Sequence, residues 1–367
     1  MKKNLIALAV FGAFSGAALA QSNVTLYGII DVNYQYIDPK GSNSATGCIP
    51  APSTGNPQPC SSISGINSGH QSGSRWGIRG SEALSPSLNA VFTLEGGYNP
   101  DLGTQGQGGR LFGRQVWAGL SGGWGTLAAG RVATFSSGTG SFDMFGNTDP
   151  FSTGFSGLNL AFSSANALRL DNSVLYQSPT WGGFKFGVGH SFNSNGTELP
   201  GSGNNQDTTF TGASFTSGPF FVGVTYDRFD IPGVSDNQAN LQVGATFDLK
   251  FVKLHAGYAK EDNQRVFNVV GITSGADADA WMGGVTIPLL GGSVLASYQR
   301  YNGDRVQLTP TTFDERDLKR WGIAYTYPLS RRTNLYASYA DNNGEQSINN
   351  SATFDARQYT VGLRHLF

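Results

Sequence analysis

From Asn23 to the terminal Phe367 the chain alternates apolar and polar residues, segment after segment, and nowhere runs through 18 apolar residues in a row. A period of two with one apolar face marks a half-buried strand, and without a longer apolar run a membrane-spanning helix is not expected. In VTLYGIIDVNYQY, Val24, Leu26, Ile30, Val32, Tyr34 and Tyr36 share one face, while Thr25, Tyr27, Asp31, Asn33 and Gln35 share the other. The pattern recurs in FFVGVTYDRF, where Phe220, Val222, Val224 and Tyr226 oppose Gly223, Thr225 and Asp227, and in KLHAGYAK and KRWGIAYTY. Sixteen such segments begin near residues 23, 73, 87, 110, 125, 168, 183, 207, 219, 237, 250, 279, 292, 317, 333 and 354. Short connections (Ala83 to Pro86, Gly122-Gly123, Trp181 to Gly183, Gly291-Gly292, Arg331-Arg332) alternate with long polar ones. The long ones run from Asp38 to Ser72, Thr134 to Ala167, Asn193 to Gln206, Asp262 to Asp277 and Asp304 to Arg316.

That sorting of connections belongs to a meander through an outer membrane, with short periplasmic turns and long extracellular loops. The expected fold class is therefore all-β: a closed transmembrane antiparallel barrel of sixteen strands, wide enough for an aqueous channel. Closure pairs every backbone N–H and C=O, as hydrocarbon requires. Composition agrees: charged residues are 13%, against about a quarter in ordinary soluble domains, and the 51 glycines are about double the average share.

The opening MKKNLIALAVFGAFSGAALAQ has a basic start at Lys2 and Lys3, an apolar stretch and a small-residue site at Ala18-Leu19-Ala20. It reads as a signal peptide over residues 1–20, leaving a barrel domain over residues 21–367 that is exported through the periplasm. Setting Lys2 and Lys3 aside from the 24 Lys+Arg leaves 22 against 25 Asp+Glu, a net charge of −3. That balance argues against nucleic acid as a partner. In an exported chain Cys48 and Cys60, the only cysteines, read as a disulfide within the first long connection, worth about 3 kcal/mol in the chain-entropy model. Phosphate-cradling, zinc and EF-hand motifs are absent, so neither cofactor nor metal is expected. His190-Ser191 is no base–nucleophile pair, because adjacent strand residues point to opposite faces. An enzyme is accordingly not expected.

At the end of the chain, Tyr359, Val361, Leu363 and Phe367 share a face in YTVGLRHLF. A last strand finishing on an aromatic resembles the signal read by outer-membrane assembly machinery, and Phe367 would carry it. Three further stretches, VTLYGIIDVNYQY, GSRWGIRGSEALSPSLNAVFTLEGGYN and GGRLFGRQVWAGLSGGWGTLAAGR, resemble the general porins of Gram-negative bacteria, of the beta-proteobacterial type. The likeness runs through NALRLDNSVLYQSP to RHLF, essentially the whole mature chain. It implies a homotrimer in the outer membrane, in contact with lipid and lipopolysaccharide, passing small ions and hydrophilic solutes. It also implies that the third extracellular loop folds into the lumen as a constriction, with arginines of the early strands facing acids of that loop. By local motif these are Arg75, Arg114 and Arg169, with Asp143 and Asp149 on the loop. The Pro-Glu-Phe-Gly-Gly motif common in enteric porins is replaced here by DMFGN, which lacks the Glu.

By alternation, Arg79, Lys253, Arg320 and Arg364 also face the lumen, against Asp31, Asp171 and Asp227. That list is biased positive, so mild anion preference is expected. The competing reading is a channel specific for a sugar or an organic acid, built on inward aromatics such as Tyr27, Phe221, Tyr301 and Tyr336. Saturable block of conductance by one solute class would distinguish it.

Overall fold

The computed structural model describes residues 23–39, 62–146, 148–151, 155, 169–201, 205–233, 236–264, 276–309, 312–346 and 356–367. The leader expected over 1–20 and both Cys48 and Cys60 lie outside these residues. Sixteen strands make the wall: β1 Asn23–Pro39; β2 in two halves, Ile63–Ser68 and Arg75–Ser85; β3 Leu88–Asn99; β4 Gln115–Gly122; β5 Gly125–Ala133; β6 Arg169–Gln177; β7 Phe184–Ser191; and β8 Asp207–Ser217. They continue as β9 Phe220–Asp230, β10 Gln238–Asp248, β11 Lys253–Gln264, β12 Ala276–Leu289, β13 Gly292–Thr309, β14 Thr312–Pro328, β15 Thr333–Gln346 and β16 Ala356–Leu366. A two-residue strand, Thr104–Gln105, pairs only with the end of β3 and stays out of the wall. Each wall strand is antiparallel to its neighbours, and β1 closes the cylinder by pairing with β16 from Ile29↔Leu366 to Pro39↔Ala356.

Two boundaries differ from the alternation pattern. Residues 304–309 and 312–316, expected as a loop, are strand: β13 and β14 stay paired through Val306↔Asp314 to Thr309↔Thr312, across two register shifts. Strands that rise above the hydrocarbon keep their ladder without needing an apolar face, so the pattern fades before the strand does. In the first loop, Ile63–Ser68 is also strand and pairs with Val32–Ile37 of β1. Between the halves of β2, Gly69–Ser74 leaves the ladder, with Gly69 at φ 73° making the turn.

Alternation decides the two faces. On β1, Tyr34 and Tyr36 are exposed outside while Asp31 and Asn33 are buried inside. Outside, aromatics form belts. Tyr36, Tyr359, Tyr339 and Trp321 follow one another at ring spacings of 6.1, 4.9 and 5.0 Å, on the long-loop side. On the short-turn side Trp124, Tyr176, Phe186 and Trp181 do the same at 6.2, 5.8 and 6.0 Å. Such rings, half apolar and half polar, favour the membrane–water boundary.

The third long loop, from Thr134 onward, lies inside the cylinder. It rests on glycines that project inward from β7, β8, β9, β10 and β12: Gly187, Gly212, Gly223, Gly244 and Gly284. A Cβ at Gly212 would stand 2.9 Å from Phe135 Cβ, and one at Gly244 would stand 2.5 Å from Thr148 Cγ2 and 2.9 Å from Phe145 Cζ. Bare backbone at these points makes a trough in the wall, and Phe135, Met144, Phe145 and Pro150 fill it. Farther along, Phe151 and Phe155 pack with Ala324, Tyr336 and Ala340 of β14 and β15. The loop thus lies along the inner wall, touching β4 through Phe142 on Trp117 and reaching β14 and β15 through Phe151 and Phe155.

Gly244→Val should unseat the loop at a cost of about 1–3 kcal/mol, the usual range for overpacking. The expected outcome in a planar bilayer is closure at lower voltage with flickering substates, while circular dichroism stays β. Gly283→Val, whose Cβ would meet nothing within 4 Å, is the control and should behave as the parent.

Candidate functional site: the lumen constriction

On the wall beside the loop, Arg75 and Arg114 both pack round the inward dip Gly69–Ser74. Arg75 Nε donates to Gly73 O at 2.9 Å, and Arg114 Nη1 lies 3.2 Å from where a Gly73 Cβ would be. Arg114 Nε also donates to Glu95 Oε1 at 2.7 Å, and Tyr27 OH donates to Glu95 Oε2 at 2.9 Å. Arg169 lies within electrostatic reach of Arg114, Arg75 and Glu95. Three guanidinium groups therefore share one buried carboxylate, a local net of two positive charges. Alternation alone did not single out Glu95; it becomes legible only when β3↔β4 pairing sets it beside Gln115, next to Arg114. The dip itself is held by Asp31, whose carboxylate accepts from Ser72 N at 2.6 Å and Tyr336 OH at 2.6 Å.

The acids expected to face these arginines are turned away from the passage. Asp143 folds back into its own loop, accepting from Gly138 N at 2.6 Å and Gly146 N at 2.7 Å. Asp149 is buried against the wall, where it accepts from Phe151 N at 2.7 Å and Gln299 Nε2 at 3.2 Å, near Arg320. Burial raises both carboxyls above the ordinary carboxylate range, Asp149 up to about 7. Without the Glu of the enteric motif, the loop's two described acids serve to staple it, and the loop presents neutral groups such as Ser141, which binds Gln115 Oε1 at 2.9 Å.

The remaining lumen charges divide similarly. Asp227 is buried beneath the loop and accepts from Ser136 Oγ at 3.2 Å. Arg320 donates to Asn342 Oδ1 under the same loop. Arg79 stays exposed, 5.2 Å over the Tyr27 ring, and Lys253 sits on the inward face at the short-turn end of β11. Asp171 departs from the expectation: it is not a lumen charge. Two residues of β6, Asp171 and Asn172, oppose the single Arg131 where the β5–β6 register shifts. Such a bulge re-aims side chains. Asp171 turns outward to Arg131 Nη1 at 2.5 Å and Arg110 Nη1 at 2.8 Å, above the lipid-side residues Phe92, Leu94, Val116 and Ala129.

The inward aromatics are likewise engaged. Tyr301 OH donates to Glu261 at 2.7 Å and Tyr336 OH to Asp31, so neither leaves a bare ring for a sugar to slide on. His70, in the dip, lies 2.8 Å from Ser338 Oγ, but its other nitrogen faces Gln358 rather than a carboxylate. Stacked on Tyr336 and pressed by Phe155, it stays neutral, because burial lowers its pKa to about 3. The pair fastens the dip to β15.

A cylinder clad in apolar and aromatic groups, charged within and narrowed by an inserted loop, defines a diffusion channel of a bacterial outer membrane. The comparisons agree. A model of the Gram-negative porin family matches residues 7–347, and the chain belongs to that family. An outer membrane porin protein of Bordetella pertussis is 35% identical over 412 residues, which cover 100% of each chain. The fold is similar to the anion-selective porin from Comamonas acidovorans, with TM-score 0.71 and 24% identity over 95% of this chain and 100% of that one. It is also similar to the trimer form of OmpT, an outer membrane protein of Vibrio cholerae, with TM-score 0.65 and 16% identity over 94% and 99% of the two chains. The protein is an outer-membrane porin, a multi-pass channel.

Asp149 carries a pH signature. Its folded pKa of about 7 stands above the roughly 4 of an open chain, so its neutral form stabilises the seated loop at low pH. That contribution is lost as pH rises from about 4 to about 7. Asp149→Asn should therefore gain thermal stability relative to the parent as pH climbs through this window. A difference independent of pH between 4 and 8 would refute the assignment.

Proposed function

We propose that the pore prefers anions, with Arg75, Arg114 and Arg169 as the selecting charges and Glu95 as their partial counterweight. The observation that carries this reading is the fate of the acids: Asp31, Asp143, Asp149 and Asp227 are tied into hydrogen bonds away from the passage, and Asp171 is outside the barrel. What remains beside the permeating ion is a net positive wall. A unit charge 5 Å away in water is worth about 0.8 kcal/mol, roughly fourfold in relative permeability. The similarity to an anion-selective porin supports the reading. The inward hydrogen-bonded tyrosines favour a general diffusion pore over a sugar track.

A homotrimer is part of the proposal. The outward positions of β4 and β5 carry Val116, Ala118, Leu120, Leu127 and Ala129, aliphatic groups only, with Trp124 in the turn between the two strands. Such a wall suits a neighbouring copy, and one of the similar folds is described as a trimer. Phe367, half exposed outside and paired through its backbone with Gly28, is proposed as the residue that the assembly machinery reads.

Zero-current potentials in a KCl gradient test the selectivity. The parent should report anion preference, Arg114→Ala should lower it roughly fourfold towards cations, and Glu95→Gln should move it the other way. Cation preference in the parent would sink the proposal.

A further inference from the structure

The short-turn mouth of the barrel contains a second basic recess, below the dip that the constriction arginines pack round. It measures about 280 Å³ and is lined on the lumen side by Gln71, Ser293, Thr326, Asn334 and Arg364, with Arg331 and Arg332 of the β14–β15 turn at its rim. No Asp or Glu lines it. The Arg364 guanidinium is held in place from two sides: Nε donates to Asn334 Oδ1 and Nη1 to Ser72 Oγ, both at 3.0 Å. Asn334 is itself braced, since its Nδ2 donates to Gln71 Oε1 at 2.8 Å. Among the described residues, Nη2 of Arg364 donates to no protein group. Ser330 Oγ accepts from Arg332 N at 3.2 Å and Thr333 N at 3.1 Å, which leaves its O–H to donate. Asp31 is the acid within electrostatic reach of Arg364, and its carboxylate is already occupied by Ser72 N and Tyr336 OH.

We propose that this recess is a binding site for small oxyanions, of the phosphate or carboxylate class, on the periplasmic side of the pore. A planar guanidinium with a free edge recognises such groups through paired N–H donors, which a spherical halide cannot match. Because Arg364 is oriented before the anion arrives, little ordering cost remains. A water takes about 30 Å³ of liquid, so the recess holds one small oxyanion with part of its hydration. The site adjoins the constriction through the dip, since Arg364 bonds Ser72 and lies within electrostatic reach of Arg75, but its rim residues Arg331 and Arg332 belong to the short turn.

The test is inorganic phosphate, titrated on the short-turn side of the purified full-length protein in a planar bilayer carrying chloride current. The expected result is a saturable fall in conductance whose half-effective phosphate concentration rises at least threefold in Arg331→Ser/Arg332→Ser. These are exposed turn positions that leave the wall intact. Arg364→Lys, which keeps the charge but loses the fork, should raise it similarly. Arg114→Ala should leave that concentration in place while moving the KCl zero-current potential, so the two readings fail separately. A fall in conductance that never saturates, or one unaltered in both Arg331→Ser/Arg332→Ser and Arg364→Lys, would overturn the proposal.

Discussion

Everything in this molecule depends on a backbone that must find all its hydrogen-bond partners inside a lipid layer. No water is available there to receive an orphan N–H or C=O, so a sheet can cross only if it closes. Closure here is the seam from Ile29↔Leu366 to Pro39↔Ala356, extended by the terminal residue, whose N–H and C=O both pair with Gly28. Once the cylinder is shut, the strand period of two assigns every side chain to lipid or to lumen. The aromatic belts and the polar interior are then consequences of one constraint rather than separate features.

A cylinder of this width would be an unselective hole, and the inserted loop changes that. Its seat depends on what is missing. Inward glycines on five strands leave room for Phe135, Met144, Phe145, Thr148 and Pro150 to lie against the wall. The loop then consumes the acids beneath and within it. Asp149 faces Gln299 and Arg320, Asp227 faces Ser136, and Asp143 closes its own turn. Burying these carboxylates is tolerable because each accepts fixed donors, and the consequence reaches the pore. Negative charge is removed from the passage while the arginines grouped round Gly73 and Glu95 keep theirs. The sign of the field thus follows from how the loop is fastened as much as from which charges the chain contains.

Much of the fold was legible before any coordinates. Alternation in VTLYGIIDVNYQY placed Asp31 and Asn33 inside and Tyr34 and Tyr36 outside, and the strand starts fall within five residues of their expected positions, the first half of β2 apart. Where the pattern failed, water replaced lipid. The tops of β13 and β14 and the first half of β2 stand where neither face needs to be apolar, so their ladders left no periodic trace. At the site, Arg75 and Arg114 could be named from their strand face and motif. Glu95, Tyr27 and the dip at Gly69–Ser74 could not, because they meet across strand pairings and a break in the ladder.

What the sequence by itself determined is therefore the wall: a chain with a strand period, no apolar helix and sorted connections has a closed barrel as its way to satisfy its backbone in a membrane. What only the tertiary structure decided is the direction in which individual charges point. Asp171 reads as a lumen residue until a one-residue bulge opposite Arg131 swings it outward, and Asp143 and Asp149 read as pore acids until the loop's own donors claim them. A period of two is a local property of the backbone, set residue by residue. The partner of a carboxylate is chosen by groups brought near it from elsewhere in the chain, and alternation carries no record of that meeting.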